Sequence, residues 1–337
     1  MSNKLLLKRG HAMEEILRLF PERIRQAIDH KAANQWGFIQ EIRFRIQQPV
    51  ELIFDDHTEW IGHVRPDRKD SLFVVNQLSE FSLYRMEDEL REGYVTIEGG
   101  HRVGLSGKVN TMHGQVKAIQ HIASFNIRIA KQKIGAAKSF IPYLYRNHYV
   151  NTLLIGPPQT GKTTLIRDIS RLIGTGWGNA RARKVCIVDE RSEIAGSKKG
   201  IPQHELGVRT DVMDACPKKE GMMMMIRSMS PEILIVDEIG STSDAQALME
   251  AVNAGVTVIC TIHGESLMEL KKRPSLQPLF EYDVFERFVL LNRDKRPGDI
   301  HRIYNQKEEN LLTKSGGFKD EVDWRASFYR HNNADRI

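Results

Sequence analysis

Gly156, Pro157, Pro158, Gln159, Thr160, Gly161, Lys162 and Thr163 have the residue types and spacing of a polyphosphate-binding loop. The apolar run Leu153–Ile155 leads into it. Leu165, Ile169 and Leu172 follow at helical spacing. Strand, glycine loop and helix are the context this chemistry needs. Glycines let the backbone wrap a polyphosphate closely, successive N–H groups point inward, and the helix N-terminus adds partial positive charge. Pro157 and Pro158 carry no N–H, so the donors must come from Gln159, Thr160, Gly161, Lys162, Thr163 and Thr164. In this pattern Lys162 would reach the β- and γ-phosphates of ATP, and the Thr163 hydroxyl would hold Mg²⁺.

Three further apolar runs end in reactive side chains. Ile233–Val236 ends in Asp237-Glu238. There Asp237 can hold Mg²⁺, directly or through water, and Glu238 can orient and polarise an attacking water. Val185–Val188 ends in Asp189-Glu190. One of the two could assist with water or metal, and spacing does not decide which. The third run ends in Thr261-Ile262-His263, where His263 could sense a γ-phosphate by a hydrogen bond. The methionine run Met222–Met225 reads as soft core or a subunit contact rather than a metal site.

These residues need strands that deliver them to one edge. From residue 150 onward the four apolar runs alternate with helical segments, which predicts an α/β core around a parallel sheet covered on both faces. Residues 196–220, rich in Gly and Pro, read as a long irregular excursion.

The N-terminal part has a different pattern. A helix is expected over 13–35, with Pro21 able to start a second one. Alternating strands are expected over 41–46 and 125–130, the latter with Arg128 on its polar face, and a return strand over 50–54. A helix over 70–91 would bury Leu78, Phe81 and Met86. A hairpin of 94–98 and 103–109 would turn at Gly99-Gly100. The expected division is a smaller α+β domain over 1–130, a linker helix over 131–149, an ATPase domain over 150–305 and a polar surface tail, partly disordered, over 306–337.

The composition of the 337 residues, 41% hydrophobic and 27% charged, is that of a soluble globular protein. A net charge of +6 permits contact with nucleic acid or an anionic surface but argues for neither. Cys186, Cys216 and Cys260 are odd in number and far apart, so no disulfide framework or zinc site is expected. No run approaches the roughly 18 apolar residues that span a bilayer. Leu5-Leu6-Leu7 is too short for a signal peptide. The expectation is a cytoplasmic protein that meets a membrane through a partner.

With these motifs in hand, residues 40–290 resemble the secretion ATPases, the hexameric motors of type II and type IV secretion and pilus systems. The matching positions are the loop Gly156–Thr163, the acidic pair Asp189-Glu190, Asp237-Glu238, and Thr261-Ile262-His263. The resemblance implies a RecA-like domain behind a smaller N-terminal domain, a homo-oligomer of six subunits, and ATP with Mg²⁺. It also implies arginines from the N-terminal domain reaching the nucleotide, often across a subunit boundary. By motif position these are Arg102 and Arg128, with Arg209 as a further candidate. The chain departs from the pattern at Asp237, where these motors often carry Gly, which favours ordinary Mg²⁺ coordination. The segments 102–107, 188–196, 209–217 and 226–232 resemble the stage III sporulation protein AA family of endospore-forming bacteria. That resemblance implies an ATPase of the mother cell, docked on integral membrane proteins of the channel to the forespore. Two rival readings stay open: a nucleotide-gated scaffold with little turnover, and a nucleic-acid motor using Arg43, Arg45 and Arg128. The second lacks a visible aromatic ladder for stacking bases, so nucleic acid is not an expected partner.

Overall fold

A computed structural model describes residues 14–79, 90–91, 93–112, 115–292 and 297–312. The chain divides into two compact units. One comprises Met1–Lys131 with Gly196–Gln203, the other Gln132–Ala195 with His204–Ile337.

In the first unit, helix α1 (Glu22–Ala32) starts directly after Pro21 and buries Ile24, Ile28 and Ala32. Strands β1 (Ile39–Arg45), β2 (Val50–Phe54) and β3 (Thr58–Ile61) form a meander. Helix α2 (Arg68–Leu78) is opened by a reciprocal cap between Asp67 and Asp70. The sheet is completed by β4 (Tyr94–Thr96), β5 (Arg102–Met112) and β6 (Gln115–Arg128). Its order is β3-β2-β1-β6-β5-β4, antiparallel throughout. The alternation expected over 41–46 is observed in β1, with Ile42 and Phe44 buried. A bulge between Ile39 and Glu41 lets both Ile39 and Ile42 face the core with Phe44, while Arg43 and Arg45 face outward. Phe44 packs edge-on against Phe125 and tilted against Phe20. The expected helix over 70–91 is observed over α2. Its positions Phe81 and Met86, like Leu5-Leu6-Leu7, lie outside the described residues.

Residues 196–203, expected within an irregular excursion, count with this first unit. Lys198 Nζ lies 3.4 Å from Glu98 Oε2, and the Gly99 N–H donates to Gln203 Oε1 at 3.2 Å.

In the second unit, the segment expected as a linker helix is not one. Gly135 sits at φ +85 and Pro142 offers no N–H, and the chain forms turns with one 3-10 segment, Ile141–Leu144. Ala137, Phe140, Ile141 and Leu144 are buried in a core shared with Leu154, Ile166 and Ile169. The sheet contains β7 (Thr152–Ile155), β8 (Val185–Asp189), β9 (Thr210–Asp214), β10 (Ile233–Val236), β11 (Thr257–Ile262), β12 (Arg287–Leu291) and β13 (Ile300–Asn305). Its order is β13-β12-β7-β11-β10-β8-β9, parallel except for β13 against β12. The four apolar runs are the four neighbours β7, β11, β10 and β8. Helices α3 (Lys162–Thr175), α4 (Lys218–Met229) and α5 (Thr242–Asn253) cover the sheet. Met222 and Met225 on α4 are core, whereas Met224 and Met229 are exposed.

One carboxylate ties the segment before β7 to α3. Asp168, 2% exposed, accepts the Gly135 N–H at 3.1 Å, the Ala137 N–H at 2.8 Å and Arg171 Nε at 2.7 Å. Asp168→Ala strands two backbone donors and is expected to cost about 2–4 kcal/mol. Urea unfolding of the variant against the parent measures it.

Candidate active site

Because β7, β11, β10 and β8 are parallel neighbours, their C-terminal ends share one edge. That edge is where open α/β sheets bind ligands. It receives the loop of residues 156–161, His263, Asp237-Glu238 and Asp189-Glu190.

The loop is held in a tight turn. Gln159 sits at φ +67 and Gly161 at φ +88. Only glycine fits the second position, because a Cβ there would lie 2.7 Å from the Gly298 nitrogen. The Gly298 N–H donates to Thr160 O at 2.8 Å, and the Thr160 hydroxyl donates to Pro157 O at 2.8 Å. Lys162 opens α3 and is 4% exposed. Its ammonium donates to Gly156 O at 2.8 Å, to Pro157 O at 3.0 Å and to His263 Nδ1 at 3.0 Å. An ammonium only donates, so Nδ1 accepts. The imidazole then carries its proton on Nε2, which donates to Glu238 Oε1 at 2.7 Å. Arg191 Nη1 donates to the other oxygen of Glu238 at 3.0 Å.

The metal-side residues are joined as directly. The Thr163 hydroxyl donates to Asp237 Oδ2 at 2.9 Å. The buried Thr261 hydroxyl donates to Asp237 Oδ1 and accepts the Glu238 N–H at 2.8 Å. Thr261 thus sets both acids. Burial pushes the Asp237 carboxyl above its ordinary value, and the two hydroxyls oppose that rise. Thr261→Val removes one opposing donor, so Asp237 should hold its proton to higher pH. The acidic limb of a kcat/KM profile for ATP turnover is expected to move up in pH in the variant; a pH–rate series on both proteins reads this.

Thr163 and Asp237 offer hard oxygen donors, which fits Mg²⁺, an ion usually held by one or two carboxylates together with substrate phosphates. Among the described residues no group of three or more His, Cys, Asp or Glu side chains forms a separate metal site.

Asp189 and Glu190, left undivided by spacing, separate in the structure. Asp189 is 1% exposed and accepts the N–H groups of Glu193, Ile194 and Ala195 at 2.8, 3.0 and 2.8 Å. Burial pushes its carboxyl up to about 6 against the pull of those donors. Glu190 is paired with Lys218. Both line, with Asp237 and Glu238, a space of about 10 Å³, on the scale of a single water. Arg167 is a residue that motif reading missed. It is buried on α3 and donates through Nε to Ile194 O at 2.7 Å and through Nη2 to Glu193 O at 2.6 Å. Burial lowers its guanidinium to about 10, while the charges of Asp189, Asp237 and Glu193 hold it up. In the sequence it reads as an ordinary surface charge on a helix, and only its burial sets it apart.

Arg102 and Arg128 face each other in register on β5 and β6 of the first unit. The Arg102 guanidinium stacks 3.6 Å above the Tyr94 ring. Arg209 lies just before β9, at the opposite edge of the sheet from the phosphate loop, and donates to Ala182 O at 2.8 Å.

The fold is that of the secretion ATPases, a RecA-like P-loop fold. An ATPase, DotB, from Legionella pneumophila superposes with a TM-score of 0.55 at 13% identity, over 81% of this chain and 76% of that one. The pilus retraction motor PilT, solved with ADP, does so at 0.51 and 13%, over 78% and 77%. At such identity the likeness is one of fold. The family follows from sequence: the model for sporulation stage III, protein AA matches residues 10–311. Stage III sporulation protein AA of Bacillus subtilis (strain 168) is 52% identical over 307 residues, 91% of this chain and 99% of that protein. The chain belongs to the stage III sporulation protein AA family.

Proposed function

We propose that this chain is a Mg²⁺-dependent ATPase that works as a hexameric ring of the secretion type, energising or assembling the channel between mother cell and forespore. One observation carries the reading: Lys162, His263 and Glu238 form a continuous hydrogen-bonded chain beside the Thr163–Asp237 pair. The backbone N–H groups of residues 159–164 and the Lys162 ammonium bind the phosphates. Thr163 and Asp237 hold Mg²⁺, which when bound offsets charge on the phosphates. Glu238 takes a proton from the water that attacks the γ-phosphorus, and ADP leaves. His263 joins Lys162 to Glu238, so a γ-phosphate oxygen on Lys162 would be felt at the base. Arg102 and Arg128 offset the charge developing on the γ-phosphate, in trans.

No helix among the described residues is long and apolar enough to cross a membrane. The proposed place is the mother-cell cytoplasm, against integral membrane proteins of the channel.

Complementation tests the shared site. Arg102→Ala and Glu238→Gln are each expected to lose at least about 10²-fold in turnover. Mixed together they should regain activity, because some sites then combine an intact Glu238 with a neighbour's intact Arg102. A mixture as inactive as its components would remove Arg102 from the trans site.

A further inference from the structure

Glu238 does not stand free as a base. His263 Nε2 donates to its Oε1 at 2.7 Å, and Arg191 Nη1 donates to its Oε2 at 3.0 Å. Arg191 and Glu238 both wall the space of about 10 Å³ that is on the scale of one water. Arg191 therefore limits how water reaches the carboxylate. An arginine bonded to the base also lies within reach of the phosphate that the base serves.

The two donors are held differently. His263 is fixed from behind by the buried Lys162 ammonium. The Arg191 side chain is 60% exposed, and among the described residues its one side-chain bond is to Glu238. Half-exposed pairs of this kind contribute little to stability, so Arg191 is the donor that can leave. The backbone beneath it is fixed. Asp189 accepts the N–H groups of Glu193, Ile194 and Ala195, and Arg167 donates to Glu193 O and Ile194 O. The Ser192 hydroxyl donates to Asp214 Oδ1 at 2.6 Å. The guanidinium can thus swing without moving its loop. Ser192 and Glu238 both sit at φ +52, a left-handed conformation that non-glycine residues hold only where the surroundings enforce it, as at switch points. Lys218, the other cation lining this space, is paired with Glu190.

We infer that Arg191 exchanges partners in each cycle: it leaves Glu238 for a γ-phosphate oxygen, and the freed side of the carboxylate then accepts the attacking water. A guanidinium suits both partners, since it bonds carboxylate and phosphate oxygens alike. Release of the base is thereby tied to a γ-phosphate, which ADP lacks. The inference rests on the ATP reading of the site. It adds a γ-phosphate ligand from the same compact unit as Glu238, separate from Arg102 and Arg128 of the first unit.

The test compares the slowly hydrolysed analogue AMP-PNP with ADP, each with Mg²⁺, on the full chain by calorimetry. Arg191→Ala should bind AMP-PNP about tenfold more weakly than the parent does and ADP as well as the parent does. Retained ADP binding also reports that the variant is folded. Arg191→Lys, which keeps the charge, should recover part of the lost affinity. A double-mutant cycle isolates the exchange itself. In Glu238→Ala the guanidinium has no carboxylate to leave, so AMP-PNP affinity should rise about threefold, and adding Arg191→Ala should erase that rise. Unchanged AMP-PNP affinity in Arg191→Ala would overturn the inference. An equal loss for both nucleotides would do so too, because it would mean that Arg191 only supports its loop, as would a rise in Glu238→Ala that survives the second substitution. A parent that binds neither nucleotide would bring down the ATP reading itself.

Discussion

Glu238→Gln is expected to bind ATP about as well as the parent and to hydrolyse it some 10²–10⁴-fold more slowly, the range lost when a general base is removed. Gln keeps the shape of the side chain and one carbonyl oxygen, so the bond from His263 Nε2 can persist. It cannot take a proton from water. The backbone around position 238 should hold, because the Glu238 N–H is fixed by Thr261 and the residue already sits at φ +52. The pair with Arg191 is half-exposed, and such pairs contribute little to stability. Equilibrium ATP binding and single-turnover hydrolysis on the same preparation separate the two effects. A variant that binds poorly would mean that Glu238 shapes the pocket rather than the chemistry.

Lys162→Ala should show the opposite pattern, with binding itself lost. The ammonium is buried and already in place at the mouth of the loop, donating to two loop carbonyls and His263. Two charge-assisted bonds to phosphate oxygens contribute about 3–4 kcal/mol together, so ATP affinity should fall roughly 10²–10³-fold. The substitution also leaves His263 Nδ1 without its donor and frees the ring to turn away from Glu238. Residual turnover at saturating ATP should therefore be low as well. Titration of Mg-ATP by calorimetry reads the affinity, and unchanged affinity would detach the loop from nucleotide binding.

The parts of this site that were legible in the sequence share a physical cause. β7, β8, β10 and β11 are buried on both faces, so each prints an unbroken apolar run, and the residue that ends the run is the one that reaches the ligand edge. Motif spacing then supplied Lys162, Thr163, Asp237 and Glu238. What escaped depends on long-range partners. β9 is an edge strand of half-buried residues with no apolar run to announce it. Thr261 stands in the Thr261-Ile262-His263 motif, but its work shows only when its hydroxyl is seen between Asp237 and the Glu238 N–H. Arg167 looks like a surface charge until its two carbonyl partners 26 and 27 residues away appear. Residues 131–149 read as a linker helix, but Gly135 and Pro142 break it, and Asp168 accepts the Gly135 and Ala137 N–H groups in turns instead. The membership of 196–203 in the first unit is carried by Glu98 and Gly99, about a hundred residues upstream. Asp189 carries the same strand-end signature as Asp237, yet its oxygens cap a backbone turn, so equal motifs do different work.

The most direct measurement is steady-state ATP turnover by the purified chain across a wide range of protein concentration, with Glu238→Gln as control. A ring whose sites are completed between subunits predicts specific activity that rises steeply with concentration, then levels off, and is absent in the variant. Tight ATP binding with no turnover at any concentration would contradict a working ring, as would turnover that ignores both concentration and the loss of Glu238.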